Sequence, residues 1–160
     1  MRICSQHWDN DFKYSCATGV MMSTIGKWRA PLKYTPCDTL SLYPAACFRF
    51  KTPFFKNSTI PYPCAGLDNY HTLGCAFGDG YITAKCKKYN PTVAQTNPQR
   101  TWNHFIACAE GLWQHNGNIS TEHCHIHSKT PAYEPCMRHT SPGNPKWNWE
   151  LLEGLASYSE

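Results

Sequence analysis

The chain has 160 residues and a formal net charge of +4, which suits one domain and is too little charge to indicate intrinsic disorder. Leu, Ile, Val and Phe together supply only 25 residues, fewer than an ordinary aliphatic core requires. Ten cysteines and 22 aromatic residues compensate, since disulfides restrict the unfolded chain and aromatic rings bury a large area each.

The first predicted element is a helix over roughly residues 9–24, with Phe12, Cys16 and Val20 on one face. Around Cys16 the chain reads Ser-Cys-Ala-Thr-Gly, and the same small-Cys-Ala-x-Gly pattern recurs around Cys75 and Cys108. We interpret the pattern as an irregular internal repeat of helices. Small residues beside each cysteine would let the helix approach a neighbour closely, and the cysteine would staple that contact.

Proline-rich stretches follow the first copy. They comprise residues 31–36, Pro44, residues 52–55 and residues 60–63. Proline removes a backbone donor and restricts the residue before it, so we expect rigid, irregular connectors here rather than helices.

The second and third copies differ in their helix signals. In the second, Gly74, Gly78 and Gly80 each disfavour a helix interior by about 1 kcal/mol, which argues against helix formation. The third has a capping residue and proline at Asn97-Pro98, an amphipathic pattern, and a stop at Asn116-Gly117. We therefore predict a well-formed helix only for the third.

An amphipathic stripe marks the end of the chain. Asn144-Pro145 resembles a helix start, and Trp147, Leu151 and Leu155 follow on one face. We predict two regions: a disulfide-rich domain over residues 1–143 and a helix over residues 144–160. That helix either packs back on the domain or docks a partner.

The even number of cysteines predicts complete pairing in disulfides. Structural zinc sites use closely spaced cysteine pairs, whereas the shortest separation here is that of Cys37 and Cys47. The spacing therefore favours disulfides over zinc and an oxidising compartment over the cytosol. The predicted disulfide cysteines are Cys4, Cys16, Cys37, Cys47, Cys64, Cys75, Cys86, Cys108, Cys124 and Cys136.

Three further features bear on the compartment. Asn57 and Asn118 begin N-glycosylation sequons, which agrees with passage through a secretory pathway. The first residues lack the apolar core of a signal peptide, so we expect a mature segment without its leader. Apolar runs are short, which predicts no transmembrane segment. The protein is thus expected to be secreted, extracellular or in another oxidising lumen.

Residues 122–127, Glu-His-Cys-His-Ile-His, form the densest group of candidate metal ligands. In an extended segment His123, His125 and His127 would share one face and could hold copper or zinc. The alternative is a surface strand with outward histidines and Cys124 in a disulfide. We favour that alternative, because metal ligands also need orienting partners.

Catalytic motifs are absent from the sequence: there is no Gly-x-Ser-x-Gly elbow and no marked carboxylate pair. We therefore assign no catalytic residue and no cofactor. An enzyme assembled from distant residues stays open as an alternative, with His104, Glu110 and His115 as its candidates. Their spacing of six and five residues does not place all three on one helix face.

The composition favours a non-catalytic structural or interaction subunit of a larger assembly. Six Trp and nine Tyr cannot all be buried in so small a protein, and exposed aromatic residues favour docking onto a protein, with carbohydrate as a second candidate partner. The basic residues are scattered except for Lys85, Lys87 and Lys88, a cluster more typical of a solvated face, so we expect no nucleic-acid partner. A metal-binding protein using the His123–His127 cluster is the third hypothesis.

Overall fold

The computed structural model describes residues 2–25, 37, 43–55, 69–91, 98–117, 119–141, 143 and 149. Helices make up most of these residues, and no strand occurs among them. The predicted class, a mainly α-helical and disulfide-rich fold, is confirmed. The helices are α1 (Arg2–Ser5), α2 (Asn10–Ile25), α3 (Pro44–Phe55), α4 (Asn69–Thr83), α5 (Pro98–Asn116), α6 (Thr121–His125) and α7 (Tyr133–Arg138), with a short 3-10 helix at Lys87–Tyr89.

The described residues divide into two compact units, one ending at Cys75 and the other running from Ala76 to Trp149. The predicted boundary between residues 1–143 and 144–160 stays a prediction. Of the predicted C-terminal helix only Trp149 is described, and residues 144–148 and 150–160 lie outside the described residues.

Helix α2 of the first unit begins where the sequence predicts. Asp9 precedes it, and its Oδ1 accepts a hydrogen bond from the backbone N–H of Phe12 at 2.7 Å, as an N-cap does. The buried face of α2 carries Tyr14, Ala17 and Met21. Tyr14 meets Tyr43 edge-on, with ring centroids 5.3 Å apart, and this contact anchors α2 in the core of the unit.

Helix α3 corrects the prediction of an irregular connector at Pro44 and at residues 52–55. Both lie within this helix, with Pro44 at its first position and Pro53 close to its end. Proline suits the first position because a backbone N–H there would have no acceptor within the helix, so its absence costs no hydrogen bond. The buried side chains of Ala46 and Phe48 stabilise the helix by packing in the core. Residues 31–36 and 60–63, the other predicted connectors, lie outside the described residues.

Helix α4 corrects the prediction that the second copy of the repeat is not helical, since it forms despite its three glycines. Its first half lies in the first unit. There a methyl group added to Gly74 would lie 2.6 Å from Cβ of Phe48 and 3.0 Å from the carbonyl oxygen of Ala45. Only glycine permits so close an approach to α3. Tertiary packing therefore outweighs the weak helix propensity of this glycine.

The second unit is organised around α5, the helix with the clearest sequence signals. Glycines hold α5 against the second half of α4. A methyl group at Gly80 would lie 1.8 Å from the carbonyl oxygen of Cys108, and one at Gly111 would lie 2.1 Å from that of Phe77. The close helix approach predicted from the repeat is thus found in the third copy.

The first copy of the repeat behaves differently from the third. Its Ala17 is buried, as are Ala76 and Ala109 in the other copies. Its Gly19, however, is exposed, and a methyl group there would meet no atom of the described residues within 4 Å. The prediction of close packing is therefore wrong at Gly19, because this glycine lies on the outer face of α2.

Four disulfides are present among the described residues, and each joins two consecutive cysteines of the sequence. Loops of this length each stabilise a fold by about 3 kcal/mol in the chain-entropy estimate. Cys75 is also disulfide-bonded, and no described cysteine is free; Cys64 lies outside the described residues. The four pairs are Cys4–Cys16, Cys37–Cys47, Cys86–Cys108 and Cys124–Cys136, with separations of 12, 10, 22 and 12 residues.

Candidate functional site

The three residues of the enzyme hypothesis have separate partners in the second unit. The ring of His104 stacks on Tyr89, with centroids 6.3 Å apart. Nδ1 of His115 lies 2.6 Å from the backbone carbonyl oxygen of Tyr81, which it reaches as a donor. The side chain of Glu110 is completely buried within the unit.

A buried polar network surrounds Glu110. Its Oε1 lies 3.2 Å from Nε2 of His139, and its Oε2 accepts a hydrogen bond of 2.5 Å from the indole N–H of Trp149. Glu110 and Trp149 are 0% exposed, and His139 is almost completely buried. We call Glu110, His139 and Trp149 the buried triad.

Aromatic rings enclose the buried triad. Trp113 packs on His139 with ring centroids 5.3 Å apart, and Phe77 packs on Trp149 at 6.3 Å. A carboxylate taken out of water needs such hydrogen bonds to offset its desolvation. Since both carboxylate oxygens are engaged and enclosed, the arrangement suits fixing α5 to later parts of the chain rather than reacting with a substrate.

The histidine-rich segment is helical up to His125 and continues as a turn through His127, which corrects the expectation of an extended strand. Ser120 caps α6 by accepting a hydrogen bond of 3.2 Å from the backbone N–H of His123. On a helix His123 and His125 point about 200° apart, so the shared face expected for the metal site does not form. Among the described residues no group of three or more His, Cys, Asp or Glu has metal-site geometry. Metal binding by His123, His125 and His127 stays a prediction.

His127 nevertheless has a distinct environment. Its ring lies edge-on to Phe105 and Trp113, at centroid distances of 5.9 and 6.3 Å. Burial lowers the pKa of His127 below its ordinary 6.5, and repulsion from His123 lowers it further. A neutral imidazole therefore suits this position near pH 7.

The first unit presents exposed aromatic rings close to the start of the chain. Trp8 is 85% exposed and Phe12 is 52% exposed. The ring of His7 contacts both: its centroid lies 5.6 Å from the ring centroid of Trp8 and 4.0 Å from that of Phe12. We call His7, Trp8 and Phe12 the aromatic surface; Ile3 on α1 is exposed as well.

Local hydrogen bonds and a disulfide fix the aromatic surface. The backbone N–H of Asp9 donates to Nδ1 of His7 at 3.1 Å, while the Asp9 carboxylate caps α2 at Phe12. The disulfide Cys4–Cys16 joins α1 to α2, with one cysteine before the aromatic surface in the sequence and the other after it. The backbone that carries the rings is thus fixed rather than part of a free tail, which lowers the backbone entropy lost on binding.

Sequence reasoning missed both His139 and Trp149 as partners of Glu110. No spacing signal links them, because they lie 29 and 39 residues further along the chain. A signal did exist for α6: Ser120 followed by Thr-Glu is a typical helix start with an acidic residue in the first turn. The glycosylation candidates Asn57 and Asn118 lie outside the described residues.

Comparisons with protein families, with characterised proteins and with solved structures find no match to this chain. In the part of the chain that the structure describes, no helix combines the length and apolar character needed to cross a membrane.

Proposed function

We propose that this protein is a non-catalytic interaction subunit, located in a secretory lumen or outside the cell, that docks onto a partner protein through the aromatic surface. The exposure of Trp8 and Phe12 on a disulfide-fixed pair of helices is the observation that carries the proposal. Tryptophan and other large aromatic side chains are typical anchors of protein interfaces.

Charge complementarity defines the kind of partner. Asp9 and Asp11 adjoin the exposed rings in the sequence, and the side chain of Asp11 is exposed. A partner pocket lined by apolar side chains and edged by lysine or arginine would complement this surface. The fixed backbone beneath the rings favours affinity, because no chain segment has to be ordered on binding.

The enclosure of Glu110 supports the non-catalytic part of the proposal. It is the only acidic residue among the candidates for an enzyme site, and both its oxygens are engaged with His139 and Trp149. A general acid or base has to reach the proton it transfers, which an enclosed carboxylate does not do.

The disulfides support an oxidising compartment. Four disulfides among the described residues of so small a chain, with no described cysteine free, are typical of secreted and lumenal proteins. Glycosylation at Asn57 and Asn118 belongs to the same proposal and is measured by glycosidase treatment of the purified protein.

The test uses the tagged full chain in the cells that make it. Wild type is expected in the secretory fraction and in a complex larger than its own 18.2 kDa on size-exclusion chromatography. Trp8→Ala/Phe12→Ala should elute as the free chain, since truncating interface anchors removes most of the binding energy. The partner identified in the wild-type complex is then purified and rebound to both forms.

Met22→Ala is the matched control, because Met22 is 58% exposed on the same helix as Phe12 but outside the aromatic surface. It should stay in the complex. Both variants should keep the wild-type circular dichroism spectrum, since exposed substitutions change stability little. A wild-type chain that elutes alone, or a double variant that stays in the complex, would contradict the proposal.

A further inference from the structure

A groove of about 540 Å³ lies beside the end of α4 in the second unit, lined by residues 83–88 and Asp79. Its volume falls within the range of small-molecule sites. The groove belongs to a different unit from the aromatic surface, so ligand binding here is independent of the proposed interaction function.

The backbone of the groove is held at both ends. At Ala84 the chain leaves α4 with a φ of 55°, a left-handed conformation that side-chain-bearing residues seldom adopt. Ala84 still donates its N–H to the carbonyl oxygen of Gly80 at 3.2 Å. Two residues later Cys86 is bonded to Cys108 of α5. The chain between these points is therefore fixed rather than a free loop.

Asp79 and Lys88 neutralise each other inside the groove. Nζ of Lys88 lies 2.5 Å from Oδ2 of Asp79, and the hydroxyl of Tyr89 donates to the same oxygen at 2.5 Å. Oδ1 of Asp79 has no hydrogen-bond partner among the described residues, and the side chain is 19% exposed. One carboxylate oxygen is thus left to accept a hydrogen bond from a ligand.

Lys85 and Lys87 supply uncompensated positive charge. Both are exposed, and within the described ranges no carboxylate pairs with either. The groove therefore presents two ammonium groups next to one hydrogen-bond acceptor. The sequence alone predicts no more than a solvated face here, because it shows neither the groove nor the pairing of Lys88 with Asp79.

We propose that this groove binds an anionic carbohydrate, that is, a sugar carrying a sulfate or phosphate ester. The ester would contact Lys85 and Lys87, and a sugar hydroxyl would donate to Oδ1 of Asp79. The volume exceeds what a lone inorganic ion fills. The ring of Tyr89 is engaged by the ammonium of Lys88 at 4.9 Å and by His104, which disfavours base stacking and hence a nucleic acid.

The test is an NMR titration of the ¹⁵N-labelled full chain with glucose 6-sulfate, glucose 6-phosphate and glucose, at low salt. Either ester should shift the amide signals of residues 83–88 saturably, and the tighter ester identifies the acid. Added NaCl should weaken the binding, since exposed charges are screened. Glucose should bind at least about tenfold more weakly, because it lacks the charge that the two lysines contact.

Lys85→Gln/Lys87→Gln should weaken ester binding by about tenfold. Lys13→Gln/Lys129→Gln is the matched control: it removes the same total charge from lysines outside the groove and should leave the affinity within about twofold. Equal losses in the two double variants, no shift with either ester, equal binding of glucose, or tighter binding of oligothymidylate at residues 83–88 would each overturn the proposal.

Discussion

The carboxylate of Glu110 accepts a hydrogen bond from the indole N–H of Trp149 at 2.5 Å, in a site where both residues are excluded from solvent. The contact joins the middle of α5 to a residue 39 positions later. His139 shares the same carboxylate through its other oxygen. One buried acid thereby connects three parts of the second unit.

Replacing Glu110 by alanine should destabilise the protein by about 2–4 kcal/mol, because the indole N–H and the imidazole would stay buried without their acceptor. Trp149→Phe, which keeps a ring but removes the donor, should cost about 1–3 kcal/mol. Urea unfolding followed by circular dichroism measures both. Glu134→Ala, which breaks an exposed pair with Arg138, is the control and should cost under about 1 kcal/mol. Wild-type stability of Glu110→Ala would mean that the buried triad does not hold the unit.

The glycines at the α4–α5 contact should not tolerate a side chain. Gly80→Ala or Gly111→Ala places a methyl group within about 2 Å of a backbone carbonyl oxygen, so the helices have to separate. We expect a loss on the order of 3 kcal/mol or more in each case. Thermal unfolding by circular dichroism is the measurement.

Gly19→Ala is the matched control for these substitutions. It has the same place in the repeat motif as Gly111, but a methyl group there meets no atom of the part of the chain that the structure describes within 4 Å, so alanine should stabilise α2 by about 0.5–1 kcal/mol through helix propensity. Opposite signs at Gly19 and Gly111 are the expected outcome. Equal effects at both would show that the contact of the helices is not glycine-dependent.

The pKa of His127 should lie below 6.5, and His123→Ala should raise it without restoring the ordinary value, because burial is the larger cause. An NMR titration of the imidazole signals gives both midpoints. A midpoint in the wild type at or above 6.5, or no change in His123→Ala, would contradict the environment described for this ring.

The same pKa predicts the direction of the pH dependence of stability. A histidine whose folded pKa is lowered takes up its proton more readily when the chain is unfolded, so protonation favours unfolding. Stability should therefore fall as the pH drops below 6.5 and level off, for this group, below the folded pKa. Unfolding free energies of wild type and His127→Gln between about pH 7.5 and pH 5 should show a smaller decrease in the variant.

The fold class and two of the helices could be predicted from the sequence because their signals are local. Cysteine number, the spacing of Phe12, Cys16 and Val20 along α2, and the cap and periodicity of α5 each depend on neighbouring residues only. Helices α3 and α4 could not be predicted in this way. Proline and glycine disfavour them locally, and the packing that overrides this involves residues distant in the sequence, such as Gly80 with Cys108.

The same distinction between local signals and distant contacts applies to the candidate sites. The exposure of Trp8 and the enclosure of Glu110 depend on tertiary contacts, so composition indicated that some aromatic rings stay exposed without indicating which ones. The role proposed for Lys85 and Lys87 depends on the pairing of Asp79 with Lys88, which the sequence does not show. The opposite error concerns His123 and His125, since an assumed strand gave them a common face that helix α6 does not provide.

Mapping of disulfide-linked peptides by mass spectrometry without reduction tests the central claim most directly, because the oxidised framework underlies both the fold and the proposed compartment. We expect the linkages described above to include Cys4–Cys16, Cys37–Cys47, Cys86–Cys108 and Cys124–Cys136, with none of these eight cysteines open to alkylation. Alkylated thiols in the protein purified from its own cells, or any of the eight joined to a different cysteine, would contradict it.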